Sequence, residues 1–203
     1  LILNQSNTTA TLIYVDATEG WRVIDTGSLN EVNGIEFVVA TGGTVTCCGD
    51  YKIHTFTGPG TFTVTSVGNP LGSDKIQFLA VAGGGAGGSD NGGGGGGGSV
   101  VKGSCEPVSV QAYPIAIGGG GAGSPGVGGS PGGAGDNTTF KGITVLKGGG
   151  GRTSCGGTSP GSPFGNGGGG AGVSASTSGC AGSANTPIPA NSTTFGANSG
   201  GDG

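Results

Sequence analysis

The sequence predicts a mostly β protein with essentially no α-helix: short N-terminal strands followed by a glycine-rich, polyglycine-II-like helix bundle. Three observations lead there. Apolar and β-branched residues come in short runs with period two and not at helical spacing. Glycine supplies 54 of the 203 residues, about a quarter of the chain where roughly 7% is usual. Nine of those glycines lie in residues 1–70 and the other 45 in residues 71–203. A change of architecture is therefore expected near residue 70, with a β-strand-rich segment over 1–70 and a glycine-rich domain over 71–203.

In the first segment, TLIYV (11–15) and WRVI (21–24) are β-branched and aromatic runs separated by a DATEG turn. IEFVV (35–39) follows an Asn33-Gly34 turn signal. YKIHTF (51–56) alternates apolar and polar residues, and after Gly58-Pro59-Gly60 the positions Phe62, Val64 and Val67 carry the alternation on. That pattern predicts a hairpin of these two runs with one buried face.

Further along, short apolar runs alternate with glycine. IQFLAVA (76–82) leads into GGGAGG, and residues 92–98 are unbroken glycine. VSV (108–110) and YPIAI (113–117) precede GGGGAG, and ITVL (143–146) precedes GGGG at 148–151. The phrase Thr-Thr-Phe recurs at 138–140 and 193–195, which suggests stacking without a fixed repeat.

Such runs read in three ways. Flexible linkers do not carry apolar pieces such as FLAV or ITVL about every twenty to thirty residues, since each buried apolar side chain is worth ~1.5–3 kcal/mol. Gly83, Gly85 and Gly88 match a dinucleotide-binding spacing, but Ser89, Asp90, Asn91 and seven glycines follow where a helix must open. A packed bundle is the remaining reading. Threefold extended helices point their N–H and C=O groups outward, and without Cβ atoms neighbouring backbones approach until those groups bond. Glycine costs ~0.5–1 kcal/mol per residue relative to Ala, and a hydrogen bond returns ~0.5–1.5 kcal/mol net. The bundle must therefore be dense and nearly fully bonded.

Charge excludes several classes. The net charge is −4, and the seven Lys and Arg form no phosphate-tracking stripe, so nucleic acid is not an expected partner. No apolar run approaches the ~20 residues of a membrane span. The termini, LILN and GGDG, carry no signal-peptide pattern and read as a piece of a longer polypeptide. The five cysteines form no CxxC pair; buried thiols are the ordinary reading, with a Cys155–Cys180 bridge left as an alternative. No cofactor and no metal are expected. Asp16, Glu19 and Asp25 match no calcium loop and read as a solvated turn. His54 lies on the polar side of its strand with no nucleophile or carboxylate placed beside it, so no enzyme is expected. Trp21 reads as core or interface packing.

YKIHTFTGPGTFTV (51–64), FLAVAGGG (78–85), YPIAIGGGGAG (113–123) and TFKGITVLKGGGG (139–151) occur in that order. Together they resemble the glycine-rich domains of phage tail fibres and related virion proteins, over residues 51–172. LIYVDATEGW (12–21) is similar to a phrase near the distal parts of environmental phage fibres. Residues 173–203 depart from the pattern. The resemblance implies a polyglycine-II-like core at a fibre tip, with loops contacting host surface molecules. It also implies a homotrimer, other fibre or tail proteins as partners, and a virion, extracellular location.

The expected function is thus a structural and adhesive segment of a phage tail fibre, meeting a host protein or glycan. Alternatives are a purely structural virion or cell-surface fibre and, less so, an ice-binding glycine bundle. Receptor contact is assigned to the loops at 124–131, 152–164 and 173–191. Ser124, Pro125, Pro131, Arg152, Pro160, Phe164 and Ile188 are the candidate residues.

Overall fold

A computed structural model describes residues 10–18, 20–26, 35–126, 129–153, 165–169 and 192–195. Twelve strands lie among them: β1 Ala10–Tyr14, β2 Trp21–Thr26, β3 Val39–Thr41, β4 Thr44–Cys48, β5 Tyr51–Thr55 and β6 Gly60–Ser66. They continue as β7 Lys75–Val81, β8 Val100–Pro107, β9 Ala112–Ala116, β10 Thr138–Phe140, β11 Ile143–Val145 and β12 Ser192–Phe195. All strand pairings are antiparallel, in sheets ordered β1-β2, β11-β10-β9-β6-β3, β12-β8-β7 and β4-β5. The five-stranded sheet draws strands from both sides of residue 70.

This arrangement corrects the expected helix bundle. No helix of any kind occurs among the described residues, and six strands lie in the segment 71–203 assigned to the bundle. The apolar runs between the glycines are the cause. They alternate with period two, so they pair in ladders that bury one face. β7 buries Ala80 and half-buries Ile76 and Phe78, while Lys75, Gln77, Leu79 and Val81 face out.

Two side-chain clusters result. Phe62, Val64, Tyr113 and Phe140 form one; Ala80, Ala82, Val101, Ile143 and Val145 form the other, and Phe78 packs against both. Phe140 is the hub of the aromatics, with ring centroids 5.3 Å from Phe78, 6.2 Å from Tyr113 and 6.3 Å from Phe62. Edge-on and tilted rings at such distances add to the burial gain.

Above these ladders the chain continues as extended glycine segments. The segment at 146–153 bonds to four others. Gly148 N–H donates to Gly83 O at 2.8 Å and Gly149 N–H to Asn166 O at 2.9 Å. Its carbonyls accept in turn, Gly149 O from Gly96 at 2.7 Å and Gly151 O from Gly132 at 2.9 Å. A strand in a flat sheet has two neighbours, so a segment with four needs backbones on several sides. Only glycine permits that approach: a Cβ on Gly83, Gly148 or Gly150 would overlap a carbonyl oxygen of Gly119, Gly96 or Gly132. Thr138, 2% exposed, seals the step from ladder to glycine. Its hydroxyl donates to Val81 O at 2.8 Å and accepts from Gly118 N–H at 2.9 Å.

Further expectations change. The predicted hairpin of 51–56 with 62–67 is absent: β5 pairs with β4, and β6 pairs with β3 and β9. The Phe56 ring fills the corner against Gly42, Gly43 and Gly60, which turns the chain out of the first ladder into another. Of the run at 35–39, only Phe37 in a bridge to Ser73 and Val39 in β3 carry strand pairing. Cys47, Cys48 and Cys105 are free and exposed, not buried. For Cys105 the cause is a bulge, with the register slipping between Ile76 and Phe78 while Cys105 takes φ 55°. The extra residue turns Glu106 inward in its place. Cys155 and Cys180 lie outside the described residues.

Candidate functional site

Three connections meet at one end of the glycine layer. The first is the turn Ser89-Asp90-Asn91-Gly92. Asp90 and Asn91 have φ 56° and 57°, and Gly88 N–H donates to Gly93 O at 2.9 Å. Two successive left-handed residues make a tight reversal, which Asp and Asn tolerate better than other side chains. The second connection runs through Ser124 and Pro125 to Ser130 and Pro131. Ser124 Oγ donates to Ser130 O at 2.9 Å. Ser130 N–H donates to Ser89 Oγ at 3.1 Å, and Ser89 N–H donates back to Ser130 O at 3.2 Å. The third begins at Arg152, whose carbonyl accepts from Gly93 N–H at 2.8 Å and whose N–H donates to Gly169 O at 3.1 Å. Gly88 and Gly92 leave no room for a side chain because the Arg152 carbonyl occupies it.

This end is remote from where residues 35–39 join the body. There Val38 N–H donates to Ser73 O and Ser73 N–H to Glu36 O, both at 3.1 Å, beside the start of β7. β7 then rises through Ala82 into the glycines and reaches Ser89 at the far end.

Of the residues expected from sequence, the fold brings Ser124, Pro131 and Arg152 to this end, with Pro125 exposed on its loop. Pro160, Phe164 and Ile188 lie outside the described residues. Sequence reasoning missed Ser89, Asp90 and Asn91, although three turn-forming residues between two glycine runs were a usable signal. Chemically the end carries the Asp90 carboxylate, the Asn91 amide and the Arg152 guanidinium, with the Ser89 and Ser124 hydroxyls engaged by Ser130.

The remaining candidates have local roles. His54 Nδ1 lies 2.8 Å from Gly42 O, and its ring stands edge-on to Phe62 at 5.2 Å. Asp16 Oδ1 accepts from Thr18 N–H at 2.7 Å inside its turn; Glu19 lies outside the described residues. Trp21 is 68% exposed, so it is not core. No helix among the described residues is long and apolar enough to cross a membrane.

A shallow cleft of ≈ 750 Å³ opens at the other end, between the β8–β9 connection and the β10–β11 hairpin. Tyr113 lines it and is held by Ser109, whose N–H donates to the phenolic oxygen at 2.9 Å. Burial pushes this phenol up. The Ser109 hydroxyl and backbone, the Gln111 side chain and the charge of Lys141 outweigh that and hold it below its ordinary 10.0.

A family model described as a glycine-rich domain matches residues 55–203, and the chain belongs to that family. No curated protein and no solved structure is similar enough to match.

Proposed function

We propose that this glycine-rich domain protein is a structural and adhesive segment of a bacteriophage tail fibre that presents loops to a host surface. One observation carries the reading: the turn at 89–92, the loop from Ser124 to Pro131 and the loop opening at Arg152 gather at the end remote from residues 35–39. A fibre that meets a surface end-on needs that arrangement. The glycine layer beneath is too closely packed to yield, so the loops keep their spacing. The partner is a host surface protein or glycan, the setting is the virion outside the cell, and copies of the chain stand side by side as a trimer.

The phage origin rests on the four ordered sequence phrases. A purely structural fibre is the second reading. It is favoured by the serine hydroxyls of this end, since Ser89 and Ser124 are spent on Ser130.

Blocking of adsorption separates the two readings. Purified chain is expected to compete with phage for host cells, and D90A/N91A with the 124–131 loop replaced by Gly-Ser of equal length is expected to lose that competition. Full competition by the replaced protein would leave the structural reading.

A further inference from the structure

The cleft between the β8–β9 connection and the β10–β11 hairpin has no part in the loops of the far end. Its volume of ≈ 750 Å³ falls within the ~300–1,000 Å³ of small-molecule sites. Among the described residues that line it, Lys141 is the one charged side chain, and no carboxylate joins it. The chain as a whole runs the other way, with a net charge of −4. Tyr113, Phe140 and Ile143 are buried and form the floor, while Pro107 and Pro114 stand exposed along the cleft.

The Lys141 ammonium carries three N–H donors. One meets Glu106 Oε2 at 3.0 Å, and the Glu106 side chain is buried and does not line the cleft. Lys141 itself is part-exposed, so its other donors stay open to a second acceptor. Tyr113 reports the local potential. Burial opposes ionisation of its phenol, yet Ser109, the Gln111 side chain and the Lys141 charge hold it below 10.0. A negative oxygen is thus favoured on this floor, and a neutral phenol does not supply one.

We propose that this cleft binds a small organic carboxylate, with its oxygens on Lys141 and its apolar body against Pro107 and Pro114. Bonds from an ammonium to a carboxylate are the strong, charge-assisted kind. Inorganic phosphate would use the cation and leave the apolar surface wet; a carboxylate on an apolar body uses both. The site goes beyond the fibre reading and does not rest on it, because it shares no residue with the loops.

Benzoate is the probe, titrated into the full chain at neutral pH while amide resonances are followed by NMR. Saturable shifts are expected at Ser109, Gln111 and Gly142, with a Kd of roughly 1–10 mM for so small a ligand. None is expected at Asp90 or Ser130. K141N should bind benzoate about tenfold more weakly or not at all. Q111E should do the same while leaving the Lys141–Glu106 pair intact. It sets a carboxylate among the donors, and the Gln111 carbonyl still accepts from Val64 N–H, so the fold is kept. Absence of saturable shifts at the cleft overturns the proposal, as does unchanged affinity in either variant. Equal binding of benzamide, the neutral counterpart, overturns it too. So does displacement of benzoate by an equal concentration of phosphate, since the apolar body would then count for nothing.

Discussion

Lys141 Nζ lies 3.0 Å from Glu106 Oε2, across 35 residues of sequence, and the Glu106 side chain is 4% exposed. Lys141 reaches it from the tip of the β10–β11 hairpin, where Lys141 and Gly142 have φ 51° and 75°. A left-handed backbone costs a lysine roughly 1–2 kcal/mol, and the ion pair offsets that strain. The pair ties the hairpin to β8 just beyond the bulge that turned Glu106 inward.

Removing the cation strands a buried carboxylate. K141N keeps a residue that accepts the left-handed backbone while losing the charge. Lys141 is 22% exposed, so water softens the penalty. A loss of roughly 1–3 kcal/mol is expected, below the ~3–5 kcal/mol of a fully buried pair. The double variant K141N/E106Q should recover part of it. Urea denaturation of the three proteins checks this, and equal midpoints for wild type and K141N would contradict it.

Neighbouring glycines should differ sharply in their tolerance of a methyl group. On Gly150 a Cβ meets the Gly132 carbonyl, which is backbone and cannot step aside. On Gly84 the nearest atom lies 3.5 Å away and the backbone is not left-handed. G84A is expected to be neutral or to stabilise by about 0.4–1 kcal/mol, through reduced freedom of the unfolded chain. G150A should cost several kcal/mol or prevent folding, as overpacking typically costs ~1–3 kcal/mol even where side chains can move. Thermal melts of the two variants decide it; a similar melting temperature for both would show that the glycine layer is loosely packed.

The same contrast explains what was legible in the sequence. The apolar run at 76–82 marked β7, whereas the repeated Thr-Thr-Phe, read only as a sign of stacking, falls in two strands, β10 and β12. β8 was missed because its alternation is broken by the bulge at Cys105, where a partner strand decides which residue is extra. The glycine count announced that backbones approach one another, but a helix bundle did not follow from it. The geometry was set by the apolar runs, which carry the ladders. The end formed by Ser89, Ser130 and Arg152 joins residues far apart in the chain, and nothing local in the sequence encodes that meeting.

Tyr113 supplies a prediction in pH. Its phenol is held below 10.0, because hydrogen bonds from Ser109 and Gln111 and the Lys141 charge overcome the opposing effect of burial. The Ser109 N–H can only donate, so that bond strengthens when the phenol ionises. A group whose folded pKa is depressed contributes stability that is fully present above its unfolded pKa, near ~10, and lost as pH falls through the folded value. Stability carried by Tyr113 should therefore grow as pH rises between those two values. Ultraviolet titration of phenolate should show a component below 10.0 that vanishes in Y113F and moves up in K141N. If Y113F retains the early component, or K141N leaves it unmoved, the Ser109 and Lys141 contacts do not govern this phenol.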